Sequence, residues 1–312
     1  MKSTKFISVV TPCYNEEANV QEVYARVKAV FEQQPQYRYE HIFCDNDSID
    51  RTVDILRDIC KMDKNVKVIV NSRNFGHTRS PYHGLLQASG DCVFSIVADL
   101  QDPPELIPQF LDKWEEGYKV VVGVKAKTKD SFMMGLCRTS YYWLVGKLGN
   151  IDLIPNYTGF GLYDRIIIDE LNKLDDHNPY FRGIVADIGF PICKIAYDQP
   201  ERKRGVTKNN FYTLYDLALL GITTHSRIPL RIATIGGFIM SVFALLISLA
   251  YLIAKIILWN KFDFGMAPEL IGIYFFGSVQ LFFIGILGEY IGNIYTQILK
   301  RPLVVEKERI NF

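Results

Sequence analysis

An apolar run at residues 232–254 constrains this chain more than any other feature, because it passes 23 positions without a charged side chain. A second apolar stretch at 270–287 follows after a short polar gap. A helix rises about 1.5 Å per residue, so roughly 20 apolar residues cross ~30 Å of hydrocarbon. We therefore predict two transmembrane helices, at about 232–256 and 269–297. A hairpin that is buried in the membrane without fully crossing it is the open alternative.

Basic residues flank the predicted spans, whereas the linker between the spans has balanced charges. The flanking cations are Arg202, Lys203, Arg204, Lys208, Arg227 and Arg231 before the first span, and Lys300, Arg301, Lys307 and Arg309 after the second. By the positive-inside rule, both termini are predicted to be cytoplasmic. The expected location is a bacterial inner membrane, crossed twice. Glycines in both spans permit close helix contact and predict a homo-oligomer. The net charge of +1 gives no sign of a nucleic-acid partner.

The polar part of the chain alternates between strand-like and helix-like segments. Strands are predicted at 6–10, 39–44, 66–70, 92–97 and 120–122, and helices at 16–33, 52–60, 78–88, 104–114 and 130–154. This alternation predicts an α/β, Rossmann-like, doubly wound sheet with parallel strands. The expected organisation is a domain over 1–200, a basic and amphipathic juxtamembrane segment over 201–230, the two spans within 231–299, and a tail over 300–312.

Polar clusters follow three of the predicted strands. They read Thr-Pro-Cys-Tyr-Asn-Glu-Glu from residue 11, Asp-Asn-Asp-Ser-Ile-Asp from residue 45, and Asp-Leu-Gln-Asp-Pro-Pro-Glu from residue 99. Each one alone is explained equally well as a turn with a helix cap. Together they predict a ligand site beyond the carboxyl ends of the strands, where convergent carboxylates hold a divalent cation against phosphates. No GxxxxGK[ST] or GxGxxG sequence is present, which disfavours P-loop ATPases and dinucleotide oxidoreductases.

Four segments, in order, resemble family 2 glycosyltransferases of the GT-A fold: VTPCYNEEANV, CDNDSIDRT, NSRNFGHTRSPYHGLLQASGD and ADLQDPPELI. With the later FRG, RKRGVTK and SRIPLR segments and the apolar hairpin, the chain is most similar to the polyprenyl-phosphate glycosyltransferases. That group includes bactoprenol glucosyltransferases and dolichol-phosphate mannose synthases. The resemblance covers nearly the whole chain and implies the fold and the reaction class, but not the sugar.

The resemblance also implies residue roles. Pro12, Tyr14, Glu16 and Asp45 would surround the nucleotide of a nucleotide-diphosphate sugar. Asp99 would approach the metal and the diphosphate, and Gln101 would support Mg²⁺ or Mn²⁺. Arg204 and Lys208 would grip phosphate groups near the membrane and, with Asp99, serve catalysis, and Arg182 is a further candidate for the acceptor phosphate. A solvated face against anionic lipid headgroups is the plainer explanation of the basic segment.

The chain departs from the family pattern at three positions. Asn46 stands where the family commonly has a second aspartate, and Val97 stands where the first acid of the DxD motif belongs. Gly159 replaces an aspartate that the family often places near the acceptor. These departures weaken the expected metal site and remove the usual base.

A lipid phosphate needs no strong base, because its second pKa is near ~6 and it is mostly dianionic at neutral pH. We therefore predict an inverting transferase that moves one sugar to undecaprenyl or dolichyl phosphate on the cytoplasmic leaflet, for cell-envelope polysaccharide. Two alternatives stay open. One is a membrane-tethered, non-catalytic scaffold that binds nucleotide sugars, and the other is transfer to a lipid or glycan hydroxyl.

Overall fold

A computed structural model of the chain describes residues 4–126, 154–200, 219–221, 223–224, 226–257 and 266–312. The predicted helix at 130–154 lies almost wholly outside these residues. So does most of the juxtamembrane segment, including Arg204 and Lys208.

The described elements alternate along the chain as predicted up to residue 125. The strands are β1 (Lys5–Cys13), β2 (Tyr37–Asp45), β3 (Val66–Asn71), β4 (Cys92–Ser95), β5 (Val120–Lys125), β6 (Tyr157–Asp164), β7 (Ile192–Tyr197) and β8 (Glu306–Ile310). The helices are α1 (Val20–Glu32), α2 (Thr52–Met62), α3 (Gly76–Leu86), α4 (Ile107–Glu115), α5 (Arg165–Lys173), α6 (Phe181–Asp187), α7 (Ile228–Ile257) and α8 (Met266–Ile298). A 3-10 turn, Pro104–Leu106, precedes α4.

All described strands belong to one sheet in the order β7-β5-β6-β4-β1-β2-β3-β8. The predicted α/β class is confirmed, and the five predicted strands, β1 to β5, all run in the same direction. The sheet is nevertheless mixed, because it contains two antiparallel strands that were not predicted. β6 runs antiparallel to both β4 and β5, and β8 runs antiparallel to β3. The pairs β1–β2, β1–β4, β2–β3 and β5–β7 are parallel.

The helices cover the sheet through apolar faces that the sequence period sets. In α1, Val20, Val23, Val27 and Val30 are all buried, which is the face predicted from their spacing. The helix begins later than predicted, because the backbone N–H groups of Asn19 and Val20 both donate to the carbonyl of Glu16 and form a turn before it. β4 likewise ends at Ser95 rather than at residue 97.

Residues 306–310, predicted only as part of a tail, form the edge strand β8 against β3. Its sequence, EKERI, gives no apolar alternation from which a strand could be read. Charged side chains instead occupy a sheet edge that would otherwise be open to pairing with other chains. The chain therefore returns to the same sheet after its two apolar helices.

Within the described part of the chain, two helices have the length and composition to cross a membrane, Ile228–Ile257 with 30 residues and Ile271–Ile298 with 28 residues. Their apolar side chains are largely exposed, for example Phe238, Leu245 and Leu281. Large exposed apolar surface on two long neighbouring helices is typical of contact with lipid.

Candidate active site

Six strands place residues at one edge of the sheet. The parallel strands β1, β2 and β4 end there, and the antiparallel strand β6 begins there, because Ser95 at the end of β4 pairs with Gly161. β5 and β7 run parallel and end together at Lys125 and Tyr197 on the same side. Ligands of open α/β sheets bind at such carboxyl ends.

Residues with left-handed backbone conformation gather at this edge. Asn15 follows β1, Asp47 follows β2, Leu100 follows β4 and Asn156 precedes β6, with φ angles of 56°, 66°, 61° and 60°. Such conformations cost about 1–3 kcal/mol each and occur most often at functional sites. Their concentration here supports this edge as the active site.

The first two polar clusters lock each other in place. The backbone N–H of Asn15 donates to Ser48 Oγ at 2.8 Å, and the N–H of Ile49 donates back to Asn15 Oδ1 at 2.8 Å. The N–H of Glu16 donates to Thr52 Oγ1 at 2.8 Å. The loop that holds Tyr14 and Glu16 is thus positioned by the loop after β2.

Asp45 is fully buried beneath this pair of loops. Its carboxylate accepts from the backbone N–H of Ser48 at 3.0 Å and from the Ser48 hydroxyl at 2.5 Å. Burial raises the pKa of the carboxyl group, while the bonds from Ser48 lower it. The side chain supports the loop after β2 that positions Tyr14 and Glu16.

The third cluster presents Asp99 and Gln101 on the loop after β4. Both side chains are half-buried, and the Gln101 backbone N–H donates to Asp99 Oδ1 at 3.1 Å. Leu100 between them has its side chain buried, so the turn directs its two neighbours away from the core. Val97, in the place of the missing acid, leaves 37% of its surface exposed.

Asp102 has a different role from Asp99, because only 2% of its surface is exposed. Its Oδ1 accepts from the Tyr197 hydroxyl at 2.7 Å. Burial raises the pKa of Asp102 to about 6, the Tyr197 bond lowers it, and nearby Asp99 raises it further. Asp102 thus ties the loop that carries Asp99 to the end of β7.

Tyr197 and Lys125 were missed in the sequence reasoning. Lys125 lowers the pKa of Asp102 through its charge. The only sequence signal was that each is a polar residue closing an apolar run, in VVVGVK and ICKIAY. That signal gains meaning only once both strands are known to end at this edge.

Arg182, on the first turn of α6, reaches the same edge. Its Nη1 donates to the carbonyl of Tyr157, the first residue of β6, at 3.3 Å. Gly159, two residues further, has φ of 106°, and a side chain there would meet nothing within 4 Å. The position of the family's missing aspartate is therefore open in space, but its backbone favours glycine.

The end of α8 contacts the segment that leads into α6. Gln297 Nε2 donates to Asp176 Oδ1 at 2.6 Å, and the backbone N–H of His177 donates to Gln297 Oε1 at 3.3 Å. The segment from Asp176 to Arg182 thus joins the sheet edge to one end of an apolar helix.

The structure brings most of the predicted site residues together. Pro12, Tyr14, Glu16, Asp45, Asp99 and Gln101 lie at or just beyond the ends of β1, β2 and β4, and Arg182 joins them through β6. Among the described residues, no group of three or more His, Cys, Asp or Glu side chains forms a metal site by itself.

Comparison with known proteins gives full-length relatives. The model of glycosyl transferase family 2 matches residues 8–155. An uncharacterised glycosyltransferase of Bacillus subtilis (strain 168) is 38% identical over 300 residues, which is 96% of this chain and 92% of that protein. An SfII prophage-derived bactoprenol glucosyl transferase of Shigella flexneri is 33% identical over 303 residues, which is 97% of each chain.

Among solved structures, glucosyl-3-phosphoglycerate synthase from Mycobacterium tuberculosis, in complex with Mn²⁺, UDP-glucose and phosphoglyceric acid, is 20% identical. The match covers 72% of this chain and 79% of that one, with a TM-score of 0.47.

Proposed function

This chain belongs to glycosyl transferase family 2, and we propose that it is a membrane-bound inverting transferase acting on polyprenyl phosphate. The predicted resemblance and the prediction of a glycosyltransferase are thereby confirmed. The proposed reaction moves one sugar from a nucleotide-sugar to the lipid phosphate. A bactoprenol glucosyl transferase among the full-length relatives supports this acceptor class.

The observation that carries the proposal is the connection between the sheet edge and α8. Arg182 contacts the edge through a hydrogen bond to the carbonyl of Tyr157. Asp176, six residues earlier in the chain, accepts a hydrogen bond from Gln297 near the end of α8. An acceptor whose phosphate stays at a membrane surface would be presented to this edge without leaving the bilayer. A soluble acceptor would not require such a junction.

The residues fit a divalent cation that is held largely by substrate. Mg²⁺ in such sites uses one or two carboxylates together with substrate phosphates and water. Asp99 and Gln101 would hold Mg²⁺ or Mn²⁺ beside the diphosphate, and Asp102 is too deeply buried to be a ligand. When bound, the ion would stabilise the charge of the departing nucleoside diphosphate.

The proposed chemistry is a single displacement. An oxygen of the acceptor phosphate attacks the anomeric carbon, the bond from that carbon to the diphosphate oxygen breaks, and the configuration inverts. The nucleophile is already charged, so Gly159 in place of an acid is tolerated. Arg182, with Arg204 and Lys208, which lie outside the described residues, would offset the repulsion between the two phosphate groups.

The proposed topology has two crossings with the catalytic domain on the cytoplasmic side. The chain leaves the domain through α7 and returns from α8 into β8, which pairs with β3 of the same sheet. Because the chain before α7 and the chain after α8 belong to one sheet, it must cross the membrane an even number of times. The basic residues that flank the two helices favour the cytoplasmic side for the sheet.

The test is a transfer assay with purified full-length protein, polyprenyl phosphate, Mg²⁺ or Mn²⁺, and a panel of nucleotide sugars. We expect a lipid-linked sugar with at least one donor, and a loss of about 100-fold or more in Asp99→Ala. Asp112→Ala, on the exposed face of α4, is the matched control and keeps wild-type activity. If no donor gives a lipid-linked product, the proposed function is contradicted. Full activity of Asp99→Ala contradicts the metal assignment. Product from a hydroxyl acceptor alone favours the other transferase reaction.

A further inference from the structure

Three arginines meet where the chain leaves α8. Arg73 and Arg79 both lie over the ring of buried Phe75, with guanidinium carbons 4.1 and 5.3 Å from the ring centroid. Arg79 Nη2 donates to the carbonyl of Pro302 at 2.6 Å. Arg301, the preceding residue, is exposed beside this contact.

The backbone fixes this juxtaposition independently of the side chains. The N–H of Ser72 donates to the carbonyl of Val305 at 2.9 Å, so the segment after α8 runs along the loop after β3. Asn46 holds that loop from the other side, accepting from the N–H of Phe75 at 2.9 Å. The loop that carries Arg73 and Arg79 and the segment that carries Arg301 are therefore held side by side by backbone hydrogen bonds.

The arginine cluster lacks acidic partners among the residues that the structure describes. None of Arg73, Arg79 and Arg301 forms an ion pair there, and the Nε of Arg79 is buried without a hydrogen-bond acceptor. Glu306, the nearest acid along the returning chain, is bonded to His83 and Arg309. Burial lowers the pKa of Arg79, and the charges of Arg73 and Arg301 lower it further. Such an arrangement of like charges is stabilised by a bound anion.

The cluster lies at the depth of lipid headgroups if α8 spans the membrane. The candidate span ends at Ile298, and its 28 residues rise about 42 Å, which matches the hydrocarbon core plus both headgroup layers. Arg301 follows only three residues later. Basic residues at this position attract anionic lipids, at about 1 kcal/mol per charge.

We propose that Arg73, Arg79 and Arg301 bind the phosphate of an anionic phospholipid in the leaflet at which α8 ends. The site lies beyond the end of β3, and β1 and β2 stand in the sheet between it and the loop of Asp99 after β4. It rests on the membrane-spanning role of α8 in the proposed function. The bound headgroup would fix the height and the tilt of the catalytic domain over the membrane.

The test counts the lipids that full-length protein retains in a non-ionic detergent, by native mass spectrometry. Phosphatidylglycerol and phosphatidylcholine of equal chain length are titrated separately. We expect preferential retention of phosphatidylglycerol, and a loss of about fivefold in affinity for each of Arg73→Gln and Arg301→Gln. Arg79 is left intact because its bond to Pro302 supports the fold.

Arg38→Gln is the matched control. Arg38 is also an exposed arginine over an aromatic ring, 5.5 Å from Phe6, but it lies at the amino end of β2. We expect the Arg38→Gln variant to retain as much phosphatidylglycerol as the wild type. Equal retention of the two lipids by the wild type, or an equal loss in Arg38→Gln, overturns the site.

Two competitors separate the lipid from other phosphate sources. Inorganic phosphate that binds as strongly as phosphatidylglycerol overturns the lipid assignment, and polyprenyl phosphate that displaces phosphatidylglycerol one for one makes the cluster the acceptor site instead. Sugar transfer is measured on the same samples. Sugar transfer by a protein that retains both phospholipids equally contradicts only the phospholipid site. Preferential retention of phosphatidylglycerol by a protein that transfers no sugar contradicts only the proposed function.

Discussion

At the scale of single residues, the Tyr197 hydroxyl is the contact that fixes the loop of Asp99. It donates to Asp102, a buried carboxylate whose pKa burial raises to about 6. Tyr197→Phe removes a donor from a carboxylate that water cannot reach, and such a loss costs about 1–3 kcal/mol. We expect a lower free energy of unfolding by that amount, measured by denaturant titration in detergent, together with weaker sugar transfer.

Tyr37→Phe is the control for this prediction. Its hydroxyl also donates to a carboxylate, Glu115 at 3.2 Å, but that contact is at the surface. Its removal changes the free energy of unfolding by less than about 0.5 kcal/mol. Equal effects of the two substitutions would show that the buried contact does not support the loop.

His41 makes the stability of the sheet depend on pH. It is fully buried in β2, with Nε2 2.8 Å from Thr11 Oγ1 and Nδ1 without a partner. Burial lowers its pKa from 6.5 to about 3. Below about pH 6.5, His41 is protonated in the unfolded chain but stays neutral in the folded chain, so its contribution to the free energy of unfolding falls as the pH drops from 6.5 towards 3.

At pH 5, this linkage costs the fold about 2 kcal/mol relative to neutral pH. His41→Gln keeps a polar group for Thr11 but cannot be protonated, so we expect it to remove this loss. The measurement is the free energy of unfolding at pH 7.5 and pH 5. Glu40, whose pKa Lys67 and Ser8 lower against burial, acts only in more acidic solution. A variant that loses as much stability as the wild type would exclude His41 as the cause.

The sequence indicated the acidic residues at the strand ends but not which of them are accessible and which are buried. Asp99 and Asp102 are three positions apart in one polar cluster, yet one is half-buried and the other inaccessible. The difference comes from Tyr197, which lies 95 residues away along the chain from Asp102. Such a role depends on tertiary contacts that no local pattern records.

At the scale of elements, β8 is attached to the sheet by more than its backbone pairing. Asn311, just after the strand, donates from Nδ2 to the carbonyls of Cys60 at 2.8 Å and Val66 at 2.9 Å. The first of these carbonyls belongs to the last turn of α2, where helical acceptors have no partner within the helix. Asn311 also has φ of 62°, which asparagine tolerates better than most residues.

Two substitutions of Asn311 separate these contributions. Asn311→Gly removes the hydrogen bonds and suits the backbone, whereas Asn311→Ala removes the bonds and adds about 1–2 kcal/mol of backbone strain. We therefore expect Ala to destabilise the docking of β8 more than Gly. Hydrogen exchange at the amides of β3 and β8 measures the difference. Identical exchange in wild type and both variants would contradict a docking role for Asn311.

Local patterns predicted the elements from β1 to β5 but not the orientation of the strands that follow. The alternating runs before residue 125 carry their own periodicity, and their predicted positions agree with the structure to within a few residues. β6 is apolar enough to be a strand, but nothing in YTGFGLYD indicates antiparallel pairing with β4 and β5. β8 is still harder to recognise, because its partner β3 lies more than two hundred residues earlier in the chain.

At the scale of the whole molecule, the pairing of β8 with β3 restricts how the chain can cross a membrane. β3 and β8 pair from Val68 with Ile310 to Asn71 with Glu306, so both strands lie on the same side of any bilayer. Between them the chain passes through α7 and α8, each long enough to cross. A single crossing would separate the paired strands, so one helix cannot span the membrane without the other.

The test places one protease site between Ile257 and Met266 and another after Phe312, in separate full-length variants expressed in bacteria. We expect protease added outside spheroplasts to cut the first variant and to leave the second intact. After lysis, both variants should be cut, which controls for the accessibility of each inserted site. Protection of both sites in spheroplasts would mean that the hairpin enters the membrane without crossing it, since β8 and the catalytic sheet would still share one side. Cleavage after Phe312 alone is incompatible with the pairing of β8 and β3 beside a cytoplasmic catalytic domain.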